Sequence, residues 1–161
     1  MTSFSPLQLA TLVAVLGSLA AVFIPQFSAN FRASRIAEPL DGLQQISQRA
    51  AVLAAGASVK EAYPPSAPLT PAEIPQGELV EDPVGTWSLP TWQRLGFSQR
   101  SPHAFSFEFE SRNGAPVAQY IARARGDLDG DGVASLFEIS GRSSDEVAPE
   151  TFPVIMAREV E

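Results

Sequence analysis

HAFSFEFESRNGAPVAQYIARAR, residues 103–125, is the stretch on which the fold turns. Phe105, Phe107 and Phe109 fall on one side of an extended chain, with Ser106, Glu108 and Glu110 on the other. That is the period of a strand with one buried face. Asn113-Gly114 is a strong hairpin signal, and VAQYIARAR beyond it resumes the alternation. After a second turn, GDLDGDG (126–132), the segment VASLFEIS (133–140) alternates again. Two turns between three such segments predict three antiparallel strands. In the second strand Arg123 and Arg125 share a face with Gln119, placed to answer Glu108 or Glu110 across the pair. The tail FPVIM (152–156) is a candidate edge strand, and His103 reads as a partly buried sheet residue.

Upstream of this sheet the chain changes character. Residues 64–90 hold seven of the 14 prolines, which excludes regular helix and central strand and predicts an extended loop laid over the sheet. Trp87 and Trp92 close that loop and read as pins holding it to the core. Before it, Leu40, Leu43, Ile46, Ala50 and Leu53 recur at three- and four-residue steps between polar neighbours, the mark of an amphipathic helix. Pro39 and Gly42 interrupt that pattern, so a kink or restart is expected near Glu38.

The beginning of the chain is different again. No charged side chain occurs before Arg32, and Leu7 to Phe27 is apolar on every side except for Gln8, Thr11 and Ser18. A run of this length matches the roughly 20 residues a helix needs to cross a bilayer core. The remainder carries the whole formal charge of -7 without a Lys/Arg cluster, which disfavours nucleic acid as a direct partner. Cysteine is absent and His103 is the single histidine. Thiolate zinc centres and Cys/His dyads are therefore excluded, and no acid/base constellation marks the chain as an enzyme.

FSPLQLATLVAVLGSLAAVFIPQF (4–27) resembles the N-terminus of type IV pilins and pseudopilins. The elements of that pattern fall at Phe4, Gln8, Gly17, Ala20, Ala21, Pro25 and Phe27, each spacing without a gap. Gly17, Ala20 and Ala21 are small enough to let apolar helices approach closely, and Pro25 removes one backbone donor. Gln8 stands where the family carries a Glu, and Ser3 where its peptidase prefers Gly. Looser likenesses to bacterial pilin-like proteins extend through PSAPLTP, W-x-x-LGF and GDLDGDG.

The resemblance implies an α+β fold, with a long N-terminal transmembrane and assembly helix packed on a small antiparallel sheet head. It divides the chain into a leader-like segment (1–3), the apolar assembly helix (4–27) and an amphipathic helical half (28–57). A Pro-rich loop region (58–102) and the sheet head (103–161) follow. It further implies a non-catalytic structural subunit of a type IV pilus or pseudopilus, of the minor-pilin kind. Such a subunit waits in the bacterial inner membrane with its head in the periplasm, then enters a surface filament. Its partners are other pilin-like subunits and the assembly machinery. The rival reading is a membrane-anchored, calcium-responsive binding module that never polymerises.

That rival draws on Ser3 and Gln8, and for its calcium on Asp127, Asp129, Asp131 and Gly132, which match the opening of an EF-hand loop, with Ser135 at the ninth place and Glu138 at the twelfth. Hard carboxylates at alternate positions suit Ca²⁺. If VASLFEIS is extended, Glu138 lies roughly 20 Å beyond Asp131 and cannot ligate, leaving Asp127, Asp129 and Asp131 with backbone carbonyls. A hairpin turn rich in Asp and Gly is the plain alternative.

Overall fold

A computed structural model describes residues 5–158 of the chain. The fold is α+β: a long helix, α1 (Pro6–Ala55), precedes a six-stranded antiparallel sheet. Compact packing divides the chain into Met1–Ile36 and Ala37–Glu161.

In the first unit, the described apolar side chains of α1 find no protein surface to cover them. Leu7, Leu12, Val13, Val15, Leu16, Leu19, Val22 and Phe23 are all exposed.

The second unit holds the core. Its sheet runs β1 (Ala67–Thr70), β2 (Ser106–Arg112), β3 (Val117–Gly126), β4 (Ser135–Ser144) and β5 (Glu150–Thr151), and β6 (Ile155–Arg158) also pairs with β4. The alternation that predicts the central meander is the one observed. Glu108 lies opposite Arg123, and Arg123 opposite Glu138. Phe105, Phe107, Phe109, Tyr120 and Phe137 fill the buried face. On the other face Arg123 reaches Glu138 at 2.7 Å, Glu108 at 3.0 Å and Glu110 at 3.5 Å, while Arg125 reaches Glu108 at 3.2 Å. The tail does supply an edge strand, β6.

Two elements differ from expectation. Helix α1 does not restart at Glu38; it runs through Pro25, Pro39 and Gly42. Glu38 accepts the backbone N–H groups of Ala104 (3.0 Å) and Phe105 (3.1 Å), tying the helix to the start of β2. Gly42 is a point of close approach, because a Cβ there would lie 2.6 Å from two ring atoms of Phe107. Leu43, Ile46, Ala50 and Ala54 complete the buried stripe.

The Pro-rich stretch is also not wholly loop. Ala67–Thr70 forms β1 at the sheet edge, where Pro68 can sit without breaking a central ladder. A short helix, α2 (Pro90–Leu95), follows with Pro at its first turn. The second compact unit, Ala37–Glu161, thus holds the C-terminal part of α1 and the Pro-rich region together with the sheet.

One buried group offers a direct test. Tyr63 is 1 % exposed and its hydroxyl has no hydrogen-bond partner among the described residues, whereas the Tyr120 hydroxyl donates to Ser47 Oγ at 2.9 Å. Burial, and secondarily Tyr120, pushes the Tyr63 phenol up from 10.0 to about 12. The unfolded chain releases this proton near pH ~10, so the folded state holds it longer and stability falls as pH rises from there towards 12. Tyr63→Phe is expected to leave stability at neutral pH within about 1 kcal/mol of the parent, or to raise it, because the lost hydroxyl made no bond. Urea unfolding at about pH 11 should cost the parent about 1 kcal/mol more than the variant, relative to about pH 8. Equal losses in both would mean the hydroxyl is solvated.

Candidate functional site

Three places combine unusual chemistry with defined geometry: the head of α1, the aspartate loop, and the strap of residues 71–89 between β1 and α2.

At the head of α1, Ser5 and Gln8 close a reciprocal pair. The Gln8 N–H donates to Ser5 Oγ at 3.3 Å and the Ser5 N–H donates to Gln8 Oε1 at 3.0 Å. With Pro6 opening the helix, this is a capping box, which satisfies two of the donors a helix start leaves open. The motif S-x-x-Q over Ser5–Gln8 is the sequence signal for this cap, and comparing Gln8 with the family's Glu does not reveal it. The other two polar residues of the run are satisfied along the same helix. Thr11 Oγ1 donates to the Leu7 carbonyl at 2.9 Å and Ser18 Oγ to the Ala14 carbonyl at 2.8 Å. The stretch Pro6–Phe23 is long and apolar enough to cross a membrane. Side chains that return their hydroxyl hydrogens to the helix suit a medium that offers no water. Gly17, Ala20, Ala21, Pro25 and Phe27 all lie within α1, and a Cβ on Gly17 would meet nothing within 4 Å. Phe4 lies outside the described residues.

The aspartate loop joins β3 to β4. Asp127, 3 % exposed, organises it: Oδ1 accepts the Gly130 N–H at 2.8 Å and Oδ2 accepts the Gly132 N–H at 2.9 Å. Gly130 and Gly132 take φ of 78° and 89°, the left-handed region that a glycine enters freely. Asp129 Oδ1 accepts the Asp131 N–H at 3.2 Å, and Asp131 Oδ1 accepts the Val133 N–H at 2.6 Å. These turns gather one carboxylate oxygen from each aspartate to within 4.8 Å of the others. Three carboxylate oxygens at that spacing could hold a metal ion. Glu138 is not among them. It sits in β4, where it pairs with Arg123 at 2.7 Å, because β4 extends from Ser135 instead of turning into a helix.

The strap is fastened at both ends and in the middle. Trp92 Nε1 donates to Thr70 Oγ1 at 3.0 Å, and Ser106 Oγ donates to the Glu73 carbonyl at 3.3 Å. The Gly77 N–H donates to the Asp127 carbonyl at 2.7 Å, so the strap and the aspartate loop share a backbone bond. Val80 and His103 exchange backbone bonds of 2.9 and 3.0 Å. The Asp82 carboxylate then lies against His103 Nε2 at 2.9 Å and accepts the Trp87 Nε1–H at 2.6 Å. His103 Nδ1 faces the Phe105 carbonyl at 2.9 Å, so both ring nitrogens are engaged. The side chains of this pair are 2 % and 7 % exposed, which makes it a clasp within the core and not a reactive centre open to substrate. Trp87 stacks edge-on to Trp92 and Phe97, both with ring centroids 5.3 Å away, as the pinning role requires. The Asp82 partnership escaped sequence reading because 21 residues separate it from His103 and no spacing rule links them.

No family model, curated protein or solved structure matches the chain.

Proposed function

We propose that the chain is a structural subunit of a type IV pilus or related pseudopilus filament, of the minor-pilin kind, held in the inner membrane before assembly. The observation that carries this reading is the apolar length of α1. Across Pro6–Phe23, a helical stretch of 18 residues, the side chains whose exposure is described are all exposed. That much apolar surface calls for lipid or for other helices of its kind, and the free space at Gly17 favours close helix approach. The head has a core of its own and presents no catalytic constellation in this reading. Its roles are display and contact with other subunits, in the periplasm first and on the surface after assembly.

The capping box alters the meaning of Gln8 under this proposal. Its amide already serves the helix start, and a glutamate would accept the same backbone bond. Mass spectrometry of the native N-terminus is the test: filament entry predicts a chain that begins at an N-methylated Phe4. An intact Met1 recovered only from the membrane fraction would overturn it.

A second reading, the anchored and non-polymerising calcium-responsive module, is favoured by the convergent oxygens of Asp127, Asp129 and Asp131. Calorimetry on the full chain in detergent should then show Ca²⁺ binding that Asp129→Ala weakens at least about tenfold, since Asp129 is exposed and contributes one of the three convergent oxygens. No heat from the parent chain ends this reading.

A further inference from the structure

Charge is distributed unevenly over the head. Between Lys60 and Arg94 the chain carries Glu61, Glu73, Glu78, Glu81 and Asp82 and not one cationic side chain. The sheet handles its carboxylates differently: Glu108, Glu110, Glu138 and Glu150 each meet an arginine. Asp82 is taken up by His103 and Trp87. Glu73, Glu78 and Glu81 are exposed and their carboxylates have no hydrogen bond or ion pair among the described residues. Apolar side chains stand beside them, with Leu79 56 % and Val84 fully exposed.

Of these, Glu73 and Glu81 line a groove of about 690 Å³ in the strap. Pro71, Ile74, Val80 and Pro83 supply apolar walls, and Glu73 and Glu81 supply the rim. Its volume falls in the range of about 300–1,000 Å³ usual for ligand clefts. The groove is also preformed, since the bonds to Ser106, Asp127 and His103 hold its walls in place before anything binds. Such pre-organisation removes part of the ordering cost that a flexible loop would bring to binding.

We infer that this groove docks a cationic polypeptide segment of a partner protein, one that sets an aliphatic side chain between the proline walls and a lysine or arginine against Glu73 and Glu81. The carboxylates attract and orient the segment, and the apolar walls supply the contact area. The inference rests on the strap alone and stands whether or not the chain enters a filament.

The probe is an array of synthetic heptapeptides in which pairs of Lys, Arg, Glu or Ser flank either Leu or Ser, overlaid with the full chain in a non-ionic detergent. Peptides holding both a cationic pair and Leu should retain the chain, with binding that weakens as NaCl is raised. Those with Glu pairs, or with Ser in place of Leu, should not. Glu73→Gln combined with Glu81→Gln should lower retention about tenfold, two partly exposed charge pairs being lost. A melting temperature equal to the parent's will show that the variant is folded. Retention that ignores peptide charge, ignores Leu, or survives both substitutions overturns the proposal, as does no retention at all. Concentration-dependent self-association in sedimentation, abolished by the same substitutions, would also overturn it by making a second copy of the chain the occupant.

Discussion

His103→Leu is expected to destabilise the head by about 3 kcal/mol, the range seen when one partner of a buried polar pair is removed and the other stays behind. The carboxylate of Asp82 would remain enclosed, with Trp87 as its one side-chain donor among the described residues. Asp82→Asn should cost less, about 1 kcal/mol, since the amide oxygen can still accept from Trp87. In the double variant the two losses should not add, because the buried charge that makes His103→Leu expensive is gone. Urea unfolding followed by tryptophan emission reads both effects, Trp87 lying in the clasp itself. A loss below about 1 kcal/mol in His103→Leu would mean that water replaces the imidazole, and that the strap is held mainly by its backbone bonds.

Gly42→Val should be of similar size, about 3 kcal/mol, from a different cause. Any Cβ at this position begins 2.6 Å from the Phe107 ring. Phe107 cannot withdraw, since it is wholly buried, with Phe97 4.9 Å and Trp87 6.4 Å away between ring centroids. Valine also brings two branches into a helix face that glycine leaves open. Gly42→Ala should be milder, because alanine recovers about 1 kcal/mol of helix propensity against the same clash. If the overlap is the cause, Phe107→Leu should offset part of the Gly42→Val loss, giving a favourable coupling of about 1 kcal/mol in a double-mutant cycle. Purely additive losses would move the explanation to the helix backbone.

Gly42 also shows where sequence reading fails. By local rules Pro39 and Gly42 are helix breakers, yet both lie inside α1. The winning effect is tertiary: Glu38 is bound to the backbone of Ala104 and Phe105, and Phe107 uses the gap over Gly42. Local pattern was enough where a single period decides the structure. The alternation through Phe105–Phe109 and Ala118–Ala124 gave the central strands, their buried face and the meeting of Arg123 with Glu108. The spacing of Asp127, Asp129 and Asp131 marked both the turn and the cluster, and the extended reading of VASLFEIS kept Glu138 apart from it. The Asp82–His103–Trp87 clasp and the groove could not be read this way. Each depends on a Pro-rich segment whose path is set by contacts far along the chain, and neither proline spacing nor composition specifies those contacts.

Sheet edges are where folded proteins stick to one another. On one side of this sheet, β1 is four residues long, contains Pro68 and pairs with a shift in register. On the other, β5 and β6 divide the outer edge of β4 between them, at Gly141–Arg142 and at Leu136–Glu138. A long continuous ladder is thus offered on neither flank, which is how natural β proteins avoid edge-to-edge aggregation. Edges broken up in this way guard against amyloid-like pairing and leave association to surfaces built for it.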